Sequence, residues 1–255
     1  MYRKIYMNQN YKDFSLVYDE LMSDVDYKKL CALALKLCKK HNHTPRLVLD
    51  AGCGTGSFAL ELTKKGIDVI GVDASFDMLS VAREKLGASV TLICQTLQDL
   101  DLYGTIDTCF CMLDTFNHIT DYDQLQKALC KISLFLEPNG LLIFDVNTVY
   151  KHKEVLGNNI FTEQTDDIYM VWQNSLRKDG VSVNIVLNFF VADENDRYIR
   201  LQESFDERAY TQEQLHSLLE NAGFEVVQTC DFSGGEVEKT SEKIIYVARN
   251  SAKTL

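Results

Sequence analysis

The stretch Val48-Leu49-Asp50-Ala51-Gly52-Cys53-Gly54-Thr55-Gly56 runs from apolar residues through one acid into three glycines at alternate positions. A strand that turns at once into a helix needs backbone with positive φ, and glycine supplies it without a Cβ clash. A second apolar run, Val69-Ile70-Gly71-Val72, ends in Asp73. A glycine loop and a later acid, each at a strand tip, are how an open α/β sheet holds a nucleoside. Bare backbone meets the ligand, the following helix points its free N–H groups at the same place, and the acid accepts the ribose hydroxyls. Spacing narrows the ligand further. A dinucleotide loop, G-x-G-x-x-G, needs its third glycine at position 57, which is Ser57; a phosphate loop needs a lysine after its last glycine, and none follows Gly56. A nicotinamide oxidoreductase is disfavoured on that ground.

Around this loop, strands and helices alternate. The pattern predicts helices over 11–23 and 27–40, strand 46–50, helix 57–65, strand 67–73 and helix 75–86. Strands 89–94 and 105–112, helix 121–136 and strand 140–146 follow. Such alternation implies a parallel sheet covered by helices on both faces. After Asn147 the pattern changes: 168–175, 181–191 and 198–209 read as three strands, separated by Lys178-Asp179-Gly180 and Asp193-Glu194-Asn195-Asp196. That is an antiparallel meander. Helix 211–222 and strands 224–232 and 241–249 close the chain. The expected fold is α/β: a doubly wound, mostly parallel seven-stranded sheet with an inserted small antiparallel β-subdomain. The main domain takes 1–149 and 207–255, with N-terminal helices 11–40 as a cap, and the insertion takes 150–206. The insertion is either a lid over the pocket or an edge extension or dimer surface with no ligand contact.

Composition excludes other classes. Lys and Arg number 26 against 37 Asp and Glu, so the net charge is 26 − 37 = −11, which argues against a grip on nucleic-acid phosphates. The basic runs Lys36–Lys40 and Lys151–Lys153 read as solvated faces. An apolar fraction of 46% is ample for a core, yet no run of 18 apolar residues marks a membrane span. The first fifteen residues lack the apolar stretch of a signal peptide, so a cytoplasmic location is expected. Eight cysteines include no C-x-x-C, and the five histidines make no H-x-x-x-H, so no metal is expected. Cys94, Cys109 and Cys111 read as small core residues.

The segment Leu47 to Asp73 resembles the first two strands of the class I S-adenosylmethionine-dependent methyltransferases, whose signature is close to D-x-G-x-G-x-G followed by an acid ending the second strand. Phe135-Leu136-Glu137-Pro138-Asn139-Gly140-Leu141-Leu142-Ile143-Phe144-Asp145 resembles the family's fifth strand and the turn before it. The opening Tyr11-Lys12-Asp13-Phe14-Ser15-Leu16-Val17-Tyr18-Asp19 and the tail Glu207-Arg208-Ala209-Tyr210-Thr211 are similar to those of a subgroup of small bacterial members with an inserted antiparallel sheet. The resemblance then covers nearly the whole chain. It implies methyl transfer from S-adenosyl-L-methionine to a small-molecule acceptor, with S-adenosyl-L-homocysteine as product, by a monomer or homodimer.

By this resemblance Asp50, Gly52 and Gly54 border the methionine part of the donor, Cys53, Thr55 and Gly56 are further donor contacts, and Asp73 holds its ribose. Ala74 and Met78 lie near the adenine, although Met78 is equally a core residue by its helical spacing with Leu79 and Ala82. Thr96 stands where the family often has an acid for the adenine amino group, with Leu97 beside it. Met112 and Tyr18 complete the implied donor contacts. The fourth strand's tip, Cys111-Met112-Leu113-Asp114-Thr115-Phe116-Asn117-His118, faces the methyl group in this fold. It lacks the Asn/Asp-Pro-Pro-aromatic box of amino-methylating nucleic-acid enzymes, which disfavours a tRNA substrate. His118 is a candidate general base or a plain loop histidine, and Asp114 a substrate ligand or a cap. Tyr11, Asn117, Asn147, Trp172 and Arg208 are candidate acceptor contacts. Tyr11 and Tyr18 share a helix face whether they meet a ligand or pack. Arg208 clamps an acidic acceptor or pairs with nearby acids, and Trp172, Phe189 and Phe190 are exposed aromatics that line a pocket or pack. A second class keeps the same binding residues: a donor-binding protein without catalysis that acts through partners. Only turnover separates the two.

Overall fold

The computed structural model describes residues 18–19, 22–192 and 197–251. Tyr11, most of the helix expected over 11–23, and the expected turn at 193–196 lie outside the described residues. Seven strands form the main sheet: β1 (Leu47–Ala51), β2 (Asp68–Asp73), β3 (Thr91–Cys94), β4 (Ile106–Cys111), β5 (Leu136–Asn147), β10 (Phe224–Asp231) and β11 (Lys243–Asn250). Their order is β10-β11-β5-β4-β1-β2-β3, and only β11 runs against its neighbours. The chain winds outward from β1 to β3, then crosses back to β4 and β5. The reversal between β1 and β4 opens a crevice at their carboxyl ends, where an open sheet binds ligands.

Both faces of this sheet are covered. Leu49, Cys109, Cys111, Leu142, Phe144 and Tyr246 pack on one side, and Val48, Phe58, Phe110, Leu141 and Ile143 on the other. That is why these strands read as continuous apolar runs. Helices α1 (Tyr27–Lys40), α2 (Ser57–Thr63), α3 (Phe76–Leu86), α4 (Tyr122–Phe135) and α5 (Gln212–Asn221) begin where the sequence offers a cap. Asp26, Ser75, Asp121 and Thr211 each accept a backbone N–H from the first turn. Gly56 caps α2 from left-handed backbone at φ +78°.

The insertion is a separate four-stranded antiparallel sheet of β6 (Ile160–Gln164), β7 (Ile168–Leu176), β8 (Ser182–Ala192) and β9 (Tyr198–Arg208). One strand more than the meander read from sequence is present. β6 escapes the alternation rule because it is an exposed edge strand with hardly a buried residue. Phe189 is fully buried in the small core with Val183, Ile185 and Leu187, so its expected exposure is corrected. Cys94 is exposed on edge strand β3, unlike the buried Cys109 and Cys111. The run Lys151–Lys153 is not a solvated face: it opens a π-helical turn, Lys151–Leu156, in which His152 has no exposed surface.

Candidate active site

The tips of β1, β2 and β4 meet the inner face of the four-stranded sheet around a cavity of about 660 Å³. At one end Asp50 stands one residue before the end of β1, and Gly52 to Thr55 form the loop. Gly52 sits at φ +76°, and a Cβ there would come within 2.4 Å of Thr115, so no side chain fits. Asp73 ends β2 and accepts the N–H groups of Gly54 and Ser75, both at 2.8 Å. These bonds fix the loop to the acid before any ligand arrives. Tyr18 and Tyr27 line the same end and share a hydrogen bond. Beside them Asp19 accepts the Thr55 hydroxyl at 2.6 Å and the Lys85 ammonium at 2.9 Å, which ties residue 19 to the glycine loop.

Two observations test the fit of a sulfonium donor. The Asp50 Oδ2 is buried, lines the cavity and has no hydrogen-bond partner. Burial, and next the Asp73 carboxylate, push the Asp50 pKa up to about 7. An unpartnered acid wants a positive charge, and the methionine end of the donor carries one. The side of the loop that meets the cavity is equally suited: a Cβ on Gly54 would touch nothing within 4 Å, leaving bare backbone for a ligand.

The family profile described as "Methyltransferase domain" matches residues 48–140. The inferred methyltransferase YqeM of Bacillus subtilis (strain 168) is 30% identical over 94% of this chain and 97% of that protein. A crystal structure of an S-adenosylmethionine-dependent methyltransferase from Clostridium acetobutylicum ATCC 824 is 34% identical, covers 95% of this chain and 99% of that one, and has a TM-score of 0.85. The chain belongs to the class I S-adenosylmethionine-dependent methyltransferases. A glycine/sarcosine N-methyltransferase of Halorhodospira halochloris is 33% identical over 38% of each chain.

In this methyltransferase Tyr18, Asp50, Gly52, Cys53, Gly54, Thr55, Asp73, Ala74, Met78, Thr96, Leu97 and Met112 all border the cavity. Gly56 does not; it is packed against Ala82 and Leu86. The Thr96 hydroxyl donates to Asp99 at 2.8 Å, while Gln95 and Gln98 flank it on the cavity wall. Burial pushes the Cys53 thiol up, which keeps it an inert wall residue.

The end of the cavity at the β4 tip is polar. Asp114 follows Leu113, and both have left-handed φ, +56° and +58°. Asp145 on β5 holds this bend by accepting the Leu113 and Asp114 N–H groups. Lys243 on β11 bonds Asp114 at 2.7 Å and Asp145 at 3.3 Å. Burial opposes the Asp114 charge, yet Lys243, Lys151 and His118 outweigh it and hold its pKa well below the usual range. Burial likewise opposes the Lys243 charge, but the two carboxylates keep its pKa above that of ordinary lysine. Single ligand atoms of Asp114, His118 and Glu207 lie within 4.8 Å of one another. Lys243 and Asn147 already engage the Asp114 carboxylate.

Of the expected acceptor contacts, Trp172 borders the cavity. Asn117 is buried away from it, donating to the carbonyls of Asn147 and Arg208. Arg208 also lies off the cavity wall; it donates to the Thr120 carbonyl and stacks over Tyr210. Asn147 sits one layer behind, bridging Asp114 at 2.8 Å and Glu207 at 3.1 Å. The sequence reading missed Glu207, Phe205, Met170 and Glu163, which the four-stranded sheet supplies to the cavity. The strand alternation of β9, which puts 203, 205 and 207 on one face, was the available signal.

The Asp50 environment has a measurable consequence. With its pKa raised from 3.8 to about 7, its contribution to the stability of the free protein is full in acid and is lost as pH rises through about 7. A cationic donor favours the carboxylate, so binding expels the proton. Donor affinity should fall about tenfold per pH unit below 7. Calorimetry in buffers of different ionisation enthalpy should register release of up to one proton near pH 6. Asp50→Asn should abolish the release; an unchanged release would assign it to another group.

Proposed function

We propose that this methyltransferase acts on the nitrogen of a small-molecule amine in the cytoplasm, where its eight free cysteines stay reduced. The observation that carries the reading is the acceptor end of the cavity: His118, Glu207, Phe205 and Trp172 face a space closed on one side by the inserted sheet. The His118 and Phe205 rings pack at 5.1 Å between centroids. Aromatic faces and one buried carboxylate suit an ammonium group. A cavity with net acidic surroundings does not suit a polynucleotide. The names of relatives support the same class: the Halorhodospira halochloris protein acts on glycine and sarcosine, which are amines.

When bound, the donor supplies a methyl group on positively charged sulfur, a leaving group that needs no further activation. The chain's own residues then have to place the acceptor in line and keep water out. Orientation of that kind can be worth roughly 7–11 kcal/mol. In this reading the inserted sheet is the second wall of the pocket rather than an edge extension, and His118 sits at the acceptor. The test is labelled methyl donor added with the enzyme to a cell extract, followed by mass spectrometry of its small-molecule and RNA fractions. An N-methylated product of low mass is expected. No labelled product would leave a donor-binding protein that works through partners, and label in tRNA would refute the small-molecule reading.

A further inference from the structure

We propose that the amine methylated here carries a flat, apolar body and no carboxylate or phosphate, and that Trp172 selects that body. The proposal rests on the amine reading above and narrows it. Strand alternation turns every second residue of the inserted sheet to one face. From that face Met170 and Trp172 of β7, Ile185 and Leu187 of β8 and Phe205 of β9 border the cavity. Strand register makes them neighbours: Trp172 stands opposite Leu187, and Ile185 opposite Phe205. Together they form one apolar floor across three strands.

The indole is fixed before any ligand arrives. Its Nε1 donates to the Asn174 side-chain oxygen at 2.7 Å, and the Asn174 amide donates to the Asn159 carbonyl at 3.1 Å. Phe161 of β6 packs edge to face against the ring, with 5.6 Å between centroids. The one polar atom of Trp172 is therefore satisfied, and the ring offers carbon to the cavity. A rigid aromatic surface of this kind holds an apolar partner with little loss of side-chain freedom.

Charge decides what else the acceptor carries. Among the described residues five carboxylates border the cavity, those of Asp50, Asp73, Asp114, Glu163 and Glu207, and no lysine or arginine does. The ammonium groups of Lys243 and Lys151 lie off that wall, bonded to Asp114 and to Asn147. A carboxylate or phosphate on the acceptor would enter acidic surroundings without a cation to pair with, which is a costly burial. An ammonium group is favoured there, because Glu207 and Glu163 flank the apolar floor from edge strands β9 and β6. An amino acid brings the unwanted anion, and an amino sugar brings hydroxyls that a floor of carbon cannot bond.

The chain holds a single tryptophan, so its emission reads this floor alone. With the protein saturated with S-adenosyl-L-homocysteine, 2-phenylethylamine should move the emission to shorter wavelength as it displaces water from the indole. Phenylalanine adds only a carboxylate, and ethylamine lacks the ring. Each should need a concentration higher by about tenfold or more for the same shift. An equal response to all three, or none to 2-phenylethylamine, would overturn the proposal.

The labelled extract gives a second readout. Its product should be retained at pH 7 by a cation exchanger and also by a reversed-phase column. An N-methylated zwitterion, anion or amino sugar fails one of these, and would overturn the inference while the amine reading stands. Label only on oxygen or carbon would remove the amine reading itself. Trp172→Ala should lower the yield of product by about 10-fold to 100-fold, because the rate with dilute acceptor follows kcat/KM and a buried ring is lost. Trp172→Phe keeps an apolar ring and should retain most of the yield, with calorimetric donor binding unchanged in both variants. Wild-type yield from the alanine variant would show that Trp172 selects nothing.

Discussion

Lys243→Ala should lower the unfolding free energy by about 3–5 kcal/mol, the usual result of removing one partner from a buried ion cluster. The reason is local. Asp145 has no exposed surface, and it depends on Lys243, 3.3 Å away, and on the Leu113 and Asp114 N–H groups. Asp114 depends on the same ammonium at 2.7 Å. Without it two carboxylates face each other, one of them beneath the left-handed bend at the β4 tip. The bend at Leu113 and Asp114 uses two non-glycine residues at positive φ, so it persists only while its surroundings impose it. Catalysis should therefore fail with stability. The penalty should shrink in acid, because protonation removes the repulsion: the depressed Asp114 pKa means that the wild type's gain from this group is present above the ordinary carboxylate range and is lost as pH falls. Urea denaturation at pH 7 and at pH 4 measures both effects. Equal stability of wild type and variant at pH 7 would show that the cluster contributes nothing. Lys243→Met, which fills the volume over the Phe232 ring without charge, should be no better than alanine if charge is the cause.

The glycine loop and the acid beyond it were legible because their information is local. Asp50 to Gly56 is one continuous turn, and Asp73 follows one helix later at the tip of the adjacent strand. Periodicity placed β1 to β5 because strands covered on both faces leave runs of apolar residues. The polar cluster at the β4 tip was hidden because it converges from far apart. Lys243 reaches Asp114 across 129 positions, and Asn147 reaches Glu207 across 60. His152 gave no pattern at all: its burial depends on a π-helical turn and on the Val181 carbonyl of a neighbouring segment. A buried histidine between two lysines looks like a basic surface run when read in one dimension. Asn117 was misplaced for the converse reason. It was a candidate acceptor contact, whereas its amide ties the end of β5 to the end of β9.

Asp73→Ala should weaken donor binding by about 100-fold to 10,000-fold, since two hydrogen bonds to a charged group are worth roughly 3–6 kcal/mol together. Each Asp73 oxygen already takes one backbone N–H, Oδ2 from Gly54 and Oδ1 from Ser75, and each keeps a second lone pair for a ribose hydroxyl. Alanine removes both duties. It frees the Gly54 N–H from its anchor, so the glycine loop should lose its fixed shape as well as the carboxylate assigned to the ribose. The variant Asp73→Asn separates the two contributions. Its amide oxygen can hold one backbone N–H, but its NH₂ then points donors at the other, so part of the loop order should survive while binding stays weak. Calorimetric titration with S-adenosyl-L-homocysteine reads the affinity without any methyl acceptor. Because Asp73 is the second cause of the raised Asp50 pKa, the alanine variant should also bind with less proton release near neutral pH. An affinity within twofold of wild type would sink the assignment of the ribose to Asp73, and with it the placement of the donor along β1 and β2.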